Sequence, residues 1–358
     1  QAFAPVAYDG DDIVTVGPDA IWGGLNSGNH VGRAGISFSA ENEVAGVVTD
    51  IHTEDFSKDN AYGYVKPFSF LQISAGKIDT NWRRLGFEYG AWNTLRPYGI
   101  DDAGDDLAFH RPLQPNFALL LTPIEGLEIV WDYQADKGEV EIYDELWNHA
   151  RFGVSYTIAD VGTVMAQLAG ADPYKTKDGD EKKFNGWANV AFQLSGVENL
   201  DAQIGVWAPI NFDYETGEEI GFGAGAHYTL DALTLHGFFK GGIITNDDGD
   251  AYGNFAFALG AGVDYAINDS WTLVADVRYI NDYYNKKLAE LKIDGEEVTA
   301  KDDGHLVLYA GVEHKLSNAA IRTGFAASTN SVIHNNLTDS GKLQDFTFGI
   351  PVVLDISF

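Results

Sequence analysis

Apolar residues recur at every second position in the last segment of the chain. The opposite parity carries Thr347, Gly349 and Asp355. A spacing of two cannot form one stripe on a helix with 3.6 residues per turn, but it forms one face of a β-strand. The pattern therefore predicts a strand over residues 346–358. Its apolar face carries Phe346, Phe348, Ile350, Val352, Leu354, Ile356 and Phe358.

The same alternation returns along most of the chain. In one segment, Ile129 and Trp131 alternate with Glu128 and Asp132. Each segment runs for about ten residues, which is the length a tilted strand needs to cross the hydrocarbon of a bilayer. A strand of a soluble protein averages about five or six residues, so a soluble sandwich is the less favoured alternative. Further segments are 152–158, 184–194, 200–210, 220–230, 255–265 and 271–279.

Short and long links alternate between these segments. Such a rhythm is typical of hairpins with tight turns at one rim of a barrel and longer loops at the other. The predicted short links are 66–67, 123–126, 159–162, 195–199, 230–232, 268–270 and 317–319. The predicted long links are 78–112, 137–148, 172–183, 211–218, 245–252, 282–304 and 328–342.

These patterns predict one all-β domain over residues 1–358, a transmembrane antiparallel up-and-down β-barrel. Short turns would face the periplasm and long loops the cell exterior. Counting back from Phe358 gives about seventeen strands from Val31 onward, and an extra strand near residues 19–25 would make about eighteen. Sixteen strands is the second alternative, in which two segments near the N-terminus do not span.

Composition and charge narrow the classes of function. The net charge of −30 argues against a nucleic-acid partner, because phosphate binding needs clustered Lys and Arg. The absence of cysteine excludes disulfides, thiolate metal sites and cysteine nucleophiles. The aromatic residues near the predicted strand ends suit the headgroup level of a membrane. They are Phe184, Tyr228, Tyr265, Trp271, Tyr279, Phe346 and Phe358.

The last strand, residues 346–358, resembles the C-terminal signature of bacterial outer-membrane β-barrel porins, an alternating apolar strand that ends on Phe358. The resemblance implies a location in the bacterial outer membrane and recognition of this strand by the barrel-insertion machinery. It also implies contact with outer-membrane lipid and lipopolysaccharide, and a homo-oligomer, with a trimer expected. Residues 78–112 resemble the constriction loop that porins fold into the pore.

Residues that line a pore act through charge and diameter. The segment 78–112 contains bases, acids and aromatic rings, and we expect it to fold inward and narrow the channel. An outward loop that packs on other loops or on a trimer mate is the alternative. The candidate constriction residues are Arg83, Arg84, Arg96, Asp101, Asp102, Asp105, Asp106 and Arg111, with His110 beside them.

Parity also assigns charges on the strands to the lumen. An Arg or Lys on the lipid side would cost about 2–4 kcal/mol at the bilayer midplane. The expected inward bases are Arg33, Arg151, Lys240, Arg278 and Arg322. The expected inward acids are Glu128, Asp132, Asp201, Asp264, Asp276, Glu313 and Asp355. The mixture indicates a transverse field across the pore rather than a filter of one sign.

Signals for catalysis, metals and cofactors are weak in this sequence. Asp247, Asp248 and Asp250 loosely match a calcium loop, but the distal bidentate Glu is missing, so a solvated acidic turn is favoured over a surface calcium site. His227 and His236 are expected to point inward as a hydrogen-bonded pair. We therefore expect no enzyme activity, no catalytic residues and no cofactor.

The sequence thus predicts a water-filled channel for passive diffusion of small hydrophilic solutes or ions. One alternative is an outer-membrane barrel that acts mainly as a surface adhesin or structural anchor. Another is a soluble all-β protein that binds carbohydrate, suggested by the eight Trp residues and the acidic surface.

Overall fold

The computed structural model consists of β-strands and the turns between them. It describes residues 2–3, 7–8, 13–14, 35–52, 60–78, 116–134, 149–170, 186–210, 219–245, 251–280, 292–293, 296–297, 305–331, 344–350 and 352–356. Within these residues, no helix has the length and apolar character needed to cross a membrane.

The strands of the first half are short. They are β1 (Ala2–Phe3), β2 (Ala7–Tyr8), β3 (Ile13–Val14), β4 (Gly35–Glu41), β5 (Ala45–His52), β6 (Ala61–Phe68), β7 (Leu71–Lys77), β8 (Phe117–Leu121), β9 (Leu127–Tyr133), β10 (Ala150–Ile158) and β11 (Gly162–Gly170).

The strands of the second half are mostly longer. They are β12 (Gly186–Val197), β13 (Leu200–Ile210), β14 (Glu219–Leu230), β15 (Leu233–Thr245), β16 (Ala251–Asn268), β17 (Trp271–Ile280), β18 (Lys292–Ile293), β19 (Glu296–Glu297), β20 (His305–Lys315), β21 (Ala319–Ser331), β22 (Gln344–Gly349) and β23 (Val352–Ile356). β18 and β19 form a separate small hairpin.

Neighbours in sequence are neighbours in the sheet. From β4 to β17 each strand pairs antiparallel with the next, and β17 continues to β20 and β21. β22 and β23 both pair with β21 in one register, since Ala326 faces Gly349 and Thr323 faces Val352. They are therefore two parts of one last strand.

The N-terminal residues lie along this last strand. Phe3 pairs with Val352, and Ala7 pairs with Gly349. β3 folds back onto β2. No ladder joins β3 to β4 among the described residues, so the described wall is not closed at that point.

The side-chain distribution of this sheet is inverted relative to a soluble protein. On β13, Ile204 is 55% exposed while its neighbour Gln203 is 7% exposed. The same holds on β12, where Val190 is 52% exposed and Asn189 is 1% exposed. An exposed apolar face backed by a buried polar face is what a barrel in hydrocarbon requires. The predicted period-two alternation is therefore realised with the apolar side outward.

Tight turns join the strands at one rim. Asp160, Asn199 and Asp231 have φ of 57°, 61° and 49°, the left-handed region that tight hairpin turns use. The side-chain oxygen of Asn268 accepts hydrogen bonds from the backbone N–H of Ser270 and Trp271 at 2.9 and 3.0 Å. We call this the turn rim. The strands that flank the predicted long links end at the opposite rim. Two of these links are shorter than predicted, because β16 begins at Ala251 and β21 continues to Ser331.

The predicted all-β, antiparallel, up-and-down fold is confirmed. Seventeen strands follow from Gly35 when the two parts of the last strand are counted once and the β18–β19 hairpin is left out. This agrees with the predicted count from Val31 onward. Residues 19–25, where an eighteenth strand was expected, lie outside the described residues.

One predicted turn is wrong. Lys66 and Pro67 lie inside β6, and the turn follows at Ser69 and Phe70. The ladder to β7 is irregular between Val65 and Phe68, so no regular pair requires the missing N–H of the proline. Proline was therefore a signal for an irregular strand end rather than for the turn itself.

Candidate functional site on the inner wall

The inner face of β9 to β12 carries polar side chains that are almost completely covered. Asp132, Arg151, Ser155, Gln167 and Asn189 are each 1–3% exposed. Their parity is the one that sequence assigned to the lumen. Register places Gly153, Gln167 and Asn189 side by side on adjacent strands, so this wall is continuous across the sheet.

Two buried charges of this wall form an ion pair across neighbouring strands. Arg151 of β10 lies directly opposite Asp132 of β9, and its guanidinium donates a hydrogen bond to the Asp132 carboxylate. Both side chains are 3% exposed. Burying either charge alone would carry a large desolvation cost. The two opposite charges offset this cost because they lie on the same face, directly opposite each other.

A second arginine pairs within one strand. Arg278 and Asp276 are two residues apart on β17 and therefore face the same side. Nη2 of Arg278 lies 2.8 Å from Oδ2 of Asp276. The guanidinium also lies 6.0 Å from the centre of the Phe238 ring on the neighbouring inner wall. Together these contacts hold the arginine against the wall.

A third cluster lies near the turn rim. Arg322 of β21 is directly opposite Glu313 of β20 and donates a hydrogen bond to it. Lys315 approaches the same carboxylate at 3.3 Å, with its own side chain 59% exposed. Glu313 thus joins two bases on adjacent strands.

Two further predicted wall charges lie on the same face. Lys240 of β15 lies over the ring of Trp207, 5.5 Å from its centre. Glu128 of β9 faces Ser155 of β10. The structure thus brings Glu128, Asp132, Arg151, Lys240, Asp276, Arg278 and Arg322 to one inner wall. That they line a conducting pore stays a prediction.

The other candidates lie outside the described residues. They are Arg33, Arg83, Arg84, Arg96, Asp101, Asp102, Asp105, Asp106, Arg111 and the weak calcium candidates Asp247, Asp248 and Asp250. Within the described part, no group of three His, Asp or Glu residues is arranged to hold a metal ion.

Two histidines near the turn rim form the expected inward hydrogen-bonded pair. His227 of β14 faces His236 of β15, and their Nδ1 atoms are 2.7 Å apart. Nε2 of His236 lies 3.0 Å from Oδ2 of Asp264 on β16. The sequence predicted the pair, while the third member follows only from the register of β15 with β16.

Neutral polar residues of the wall were not singled out from sequence. Gln203 and Ser155 each bury a side-chain oxygen that has no hydrogen-bond partner among the described residues. Such atoms are hydrogen-bonding sites for water or solute. Their signal in the sequence was the same parity that selected the charged residues.

Aromatic rings cover the outer face near both rims. Phe222, Phe239, Phe257 and Tyr279 follow one another across β14 to β17, with ring centres 5.4, 6.3 and 5.8 Å apart. At the turn rim, exposed rings include Tyr228, Tyr265 and Trp271. Two aromatic levels on an apolar outer face match the interfacial girdles of membrane barrels.

Solved structures share this architecture. Pseudomonas aeruginosa OccK10 (OpdN) has a TM-score of 0.52 at 9% identity, covering 99% of this chain and 96% of that one. Pseudomonas aeruginosa OccK11 (OpdR) has a TM-score of 0.51 at 10% identity, covering 90% and 89%. Pseudomonas aeruginosa OpdQ has a TM-score of 0.50 at 11% identity, covering 90% and 89%.

No protein-family profile and no curated protein sequence matches the chain. The likeness is therefore one of fold. It agrees with the apolar outer face and the aromatic girdles, and with the predicted location in a bacterial outer membrane. The chain has the β-barrel fold of bacterial outer-membrane porins.

Proposed function

We propose that this chain forms a water-filled channel for passive diffusion of small hydrophilic solutes or ions across the outer membrane. The observation that carries the proposal is the inverted wall, polar inside and apolar outside, as at Gln203 and Ile204. A barrel that served only as an anchor needs the apolar outside but has no need of a charged inside. The proposed activity requires no cofactor and no catalytic chemistry.

Local ion pairs support modest ion selectivity. Arg151, Arg278 and Arg322 each lie beside a carboxylate of the same wall. A paired charge contributes a short-range dipole rather than a long-range field. We propose that these pairs guide polar solutes along the wall. Other residues then determine whether the channel prefers cations or anions.

Planar-bilayer recording of the refolded chain tests the channel. We expect stepwise conductance that rises with salt concentration, because ions carry the current through water. A chain that inserts into the bilayer without any steps would favour the surface adhesin or structural anchor instead. Insertion is checked separately by protease resistance of the same vesicles.

We further propose that residues 78–112 fold inward as a constriction loop. The wall of β9 to β12 supports this, since side chains that face a wide wet pore would be exposed, yet Ser155 and Asn189 are 1% exposed. Ile78, where the segment begins, is buried as well. Deleting residues 97–104 should raise single-channel conductance. An unchanged conductance in a correctly inserted variant would contradict the inward course.

The assembly is also a proposal. We expect a homo-oligomer, a trimer, in contact with lipopolysaccharide, and recognition of the last strand by the barrel-insertion machinery. Light scattering of the detergent-solubilised chain measures the copy number directly. A monomer at all detergent concentrations would contradict the trimer and leave the channel proposal standing.

A further inference from the structure

The histidine pair of the inner wall brings two ring nitrogens to one point. His227 and His236 are cross-strand neighbours, and their rings meet edge to face with centres 4.7 Å apart. With 2.7 Å between the two Nδ1 atoms, one nitrogen donates the shared proton and the other accepts it. The site thus contains a lone pair that faces a replaceable proton.

The tautomer of His236 follows from its other neighbour. Its Nε2 lies 3.0 Å from Oδ2 of Asp264, and a carboxylate accepts hydrogen bonds, so Nε2 carries the proton. In its neutral form, His236 therefore holds the lone pair on Nδ1, and Nδ1–H of His227 donates to it. An imidazole whose far N–H is held by a carboxylate is the arrangement that orients metal-binding histidines.

Carboxylates line the depression at the turn rim that His227 also lines. Asp201 of β13 is directly opposite His227, and its buried Oδ1 has no hydrogen-bond partner among the described residues. A depression of about 840 Å³ at the turn rim is lined by Asp160, Glu198, Asp201 and His227, and its described lining contains no Lys or Arg. The approach to the imidazoles is therefore negatively charged.

We propose that His227 and His236 bind a divalent transition-metal ion at the turn-rim end of the inner wall. Imidazole nitrogen suits Zn²⁺, Cu²⁺ and Ni²⁺, whereas Ca²⁺ and Mg²⁺ prefer oxygen ligands. The ion takes the place of the shared proton, and His227 shifts that proton from Nδ1 to Nε2. Both rings stay neutral, so no proton is released.

The geometry needs a small adjustment. Two nitrogens in a tetrahedral site with bonds of about 2.05 Å lie about 3.3 Å apart, so the rings must separate slightly from 2.7 Å. Asp264 stands on the far nitrogen of His236, and no three donors converge among the described residues. Water, or Asp201 after a side-chain rotation, completes the coordination. Such a site exchanges its ion readily.

Copper binding tests the site without any assay of transport. Electron paramagnetic resonance of the folded chain in detergent, titrated with Cu²⁺, should show one copper ion per chain with nitrogen hyperfine splitting. His236→Ala should weaken binding at least tenfold. The matched control is His314→Ala, because His314 lies on the outer face, stacked 4.1 Å from Trp271 with Nδ1 3.2 Å from the Ser270 carbonyl.

The variant Asp264→Asn distinguishes a metal site from a histidine pair that is only hydrogen-bonded. Loss of the carboxylate that orients His236 should weaken Cu²⁺ binding about 10- to 100-fold while the barrel stays folded on unheated gels. Copper spectra without nitrogen splitting would overturn the proposal. So would equal weakening by His314→Ala and His236→Ala.

A conductance measurement tests whether the metal site lies in the pore. Of these experiments, only this one rests on the proposed channel. Zn²⁺ added on the turn-rim side should reduce single-channel current in the unmodified chain and leave His236→Ala unaffected. If copper binds through nitrogen but no channel is seen, the metal site stands and the channel proposal fails. If channels open and copper does not bind, the channel proposal stands and the metal-site proposal fails.

Discussion

At the scale of single residues, aromatic rings on the inner wall lie over glycines. Trp207 covers Gly221 and Tyr64 covers Gly46 on the neighbouring strand, and the ring of Tyr309 lies over Gly311 of its own strand. A glycine in a strand leaves the backbone bare, and a ring packed on it restores contact. Such pairs keep the wall well packed at its glycines, which are poor strand formers.

This packing gives a prediction for glycine substitutions. A Cβ at position 221 would overlap the indole of Trp207, whereas a Cβ at position 237 on the outer face would meet nothing nearer than the Gly260 carbonyl oxygen at 3.9 Å. We expect Gly221→Ala to destabilise the barrel by about 1–3 kcal/mol and Gly237→Ala to have little effect. Urea unfolding in lipid vesicles measures both. Equal effects would show that the ring moves away freely.

The Asp132–Arg151 pair predicts a different pattern. Arg151→Met leaves a buried carboxylate without its base and should destabilise the barrel by about 3–5 kcal/mol. Arg151→Met combined with Asp132→Leu should recover most of this loss, because neither charge is left buried alone. The same unfolding assay measures the variants. A double variant as unstable as the single one would mean that the pair is not the cause.

At the scale of elements, alternation predicted where strands lie and which face each residue occupies. It placed Asp132 and Arg151 on the same face, where the structure pairs them, because a strand has only two faces. It did not predict which charges would meet. Register depends on turn geometry and on irregularities such as the shift between Leu194 and Val197, which the polar pattern does not encode.

The N-terminal pairing was missed for a related reason. β1 and β2 are two residues each, too short to show any period, and their partner is the other end of the chain. That contact depends on the assembled sheet, which brings the two ends of the chain side by side. The residues of the segment 78–112 likewise had no periodic signal from which a position could be derived.

Turns with positive φ yield a prediction at this scale. Asp231 links β14 to β15 with φ of 49°, a conformation that Asp and Asn tolerate and β-branched residues do not. Asp231→Val should therefore destabilise the barrel by about 1–2 kcal/mol, while Asp231→Asn should be neutral. Unfolding in vesicles reports both. Destabilisation by the Asn variant would point to the carboxylate instead of the backbone.

At the scale of the whole molecule, the apolar outer face indicates that hydrocarbon surrounds the barrel. Ile204 and Gln203 are adjacent near the middle of β13 and point to opposite sides. Ile204→Arg puts a charge in hydrocarbon and should cost about 2–4 kcal/mol. Gln203→Arg puts the same charge on the polar inner side and should change conductance more than stability.

The comparison of the two arginine variants is the control for membrane embedding. Folding efficiency into vesicles and urea midpoints give the stability, and bilayer recording gives the conductance. If Ile204→Arg folded as well as Gln203→Arg, the outer face would not be in contact with lipid. The membrane location would then need another explanation.

The described strands differ widely in length. β8 has 5 residues and β16 has 18, although both begin or end at a tight turn on the same rim. A crossing takes about 9–11 residues, so β16 continues well past the bilayer, and β15 accompanies it up to Thr245. Among the described strands, β16 extends furthest from the turn rim. A large particle that approached from that side, such as an antibody or a virus of bacteria, would meet this hairpin before the other described strands.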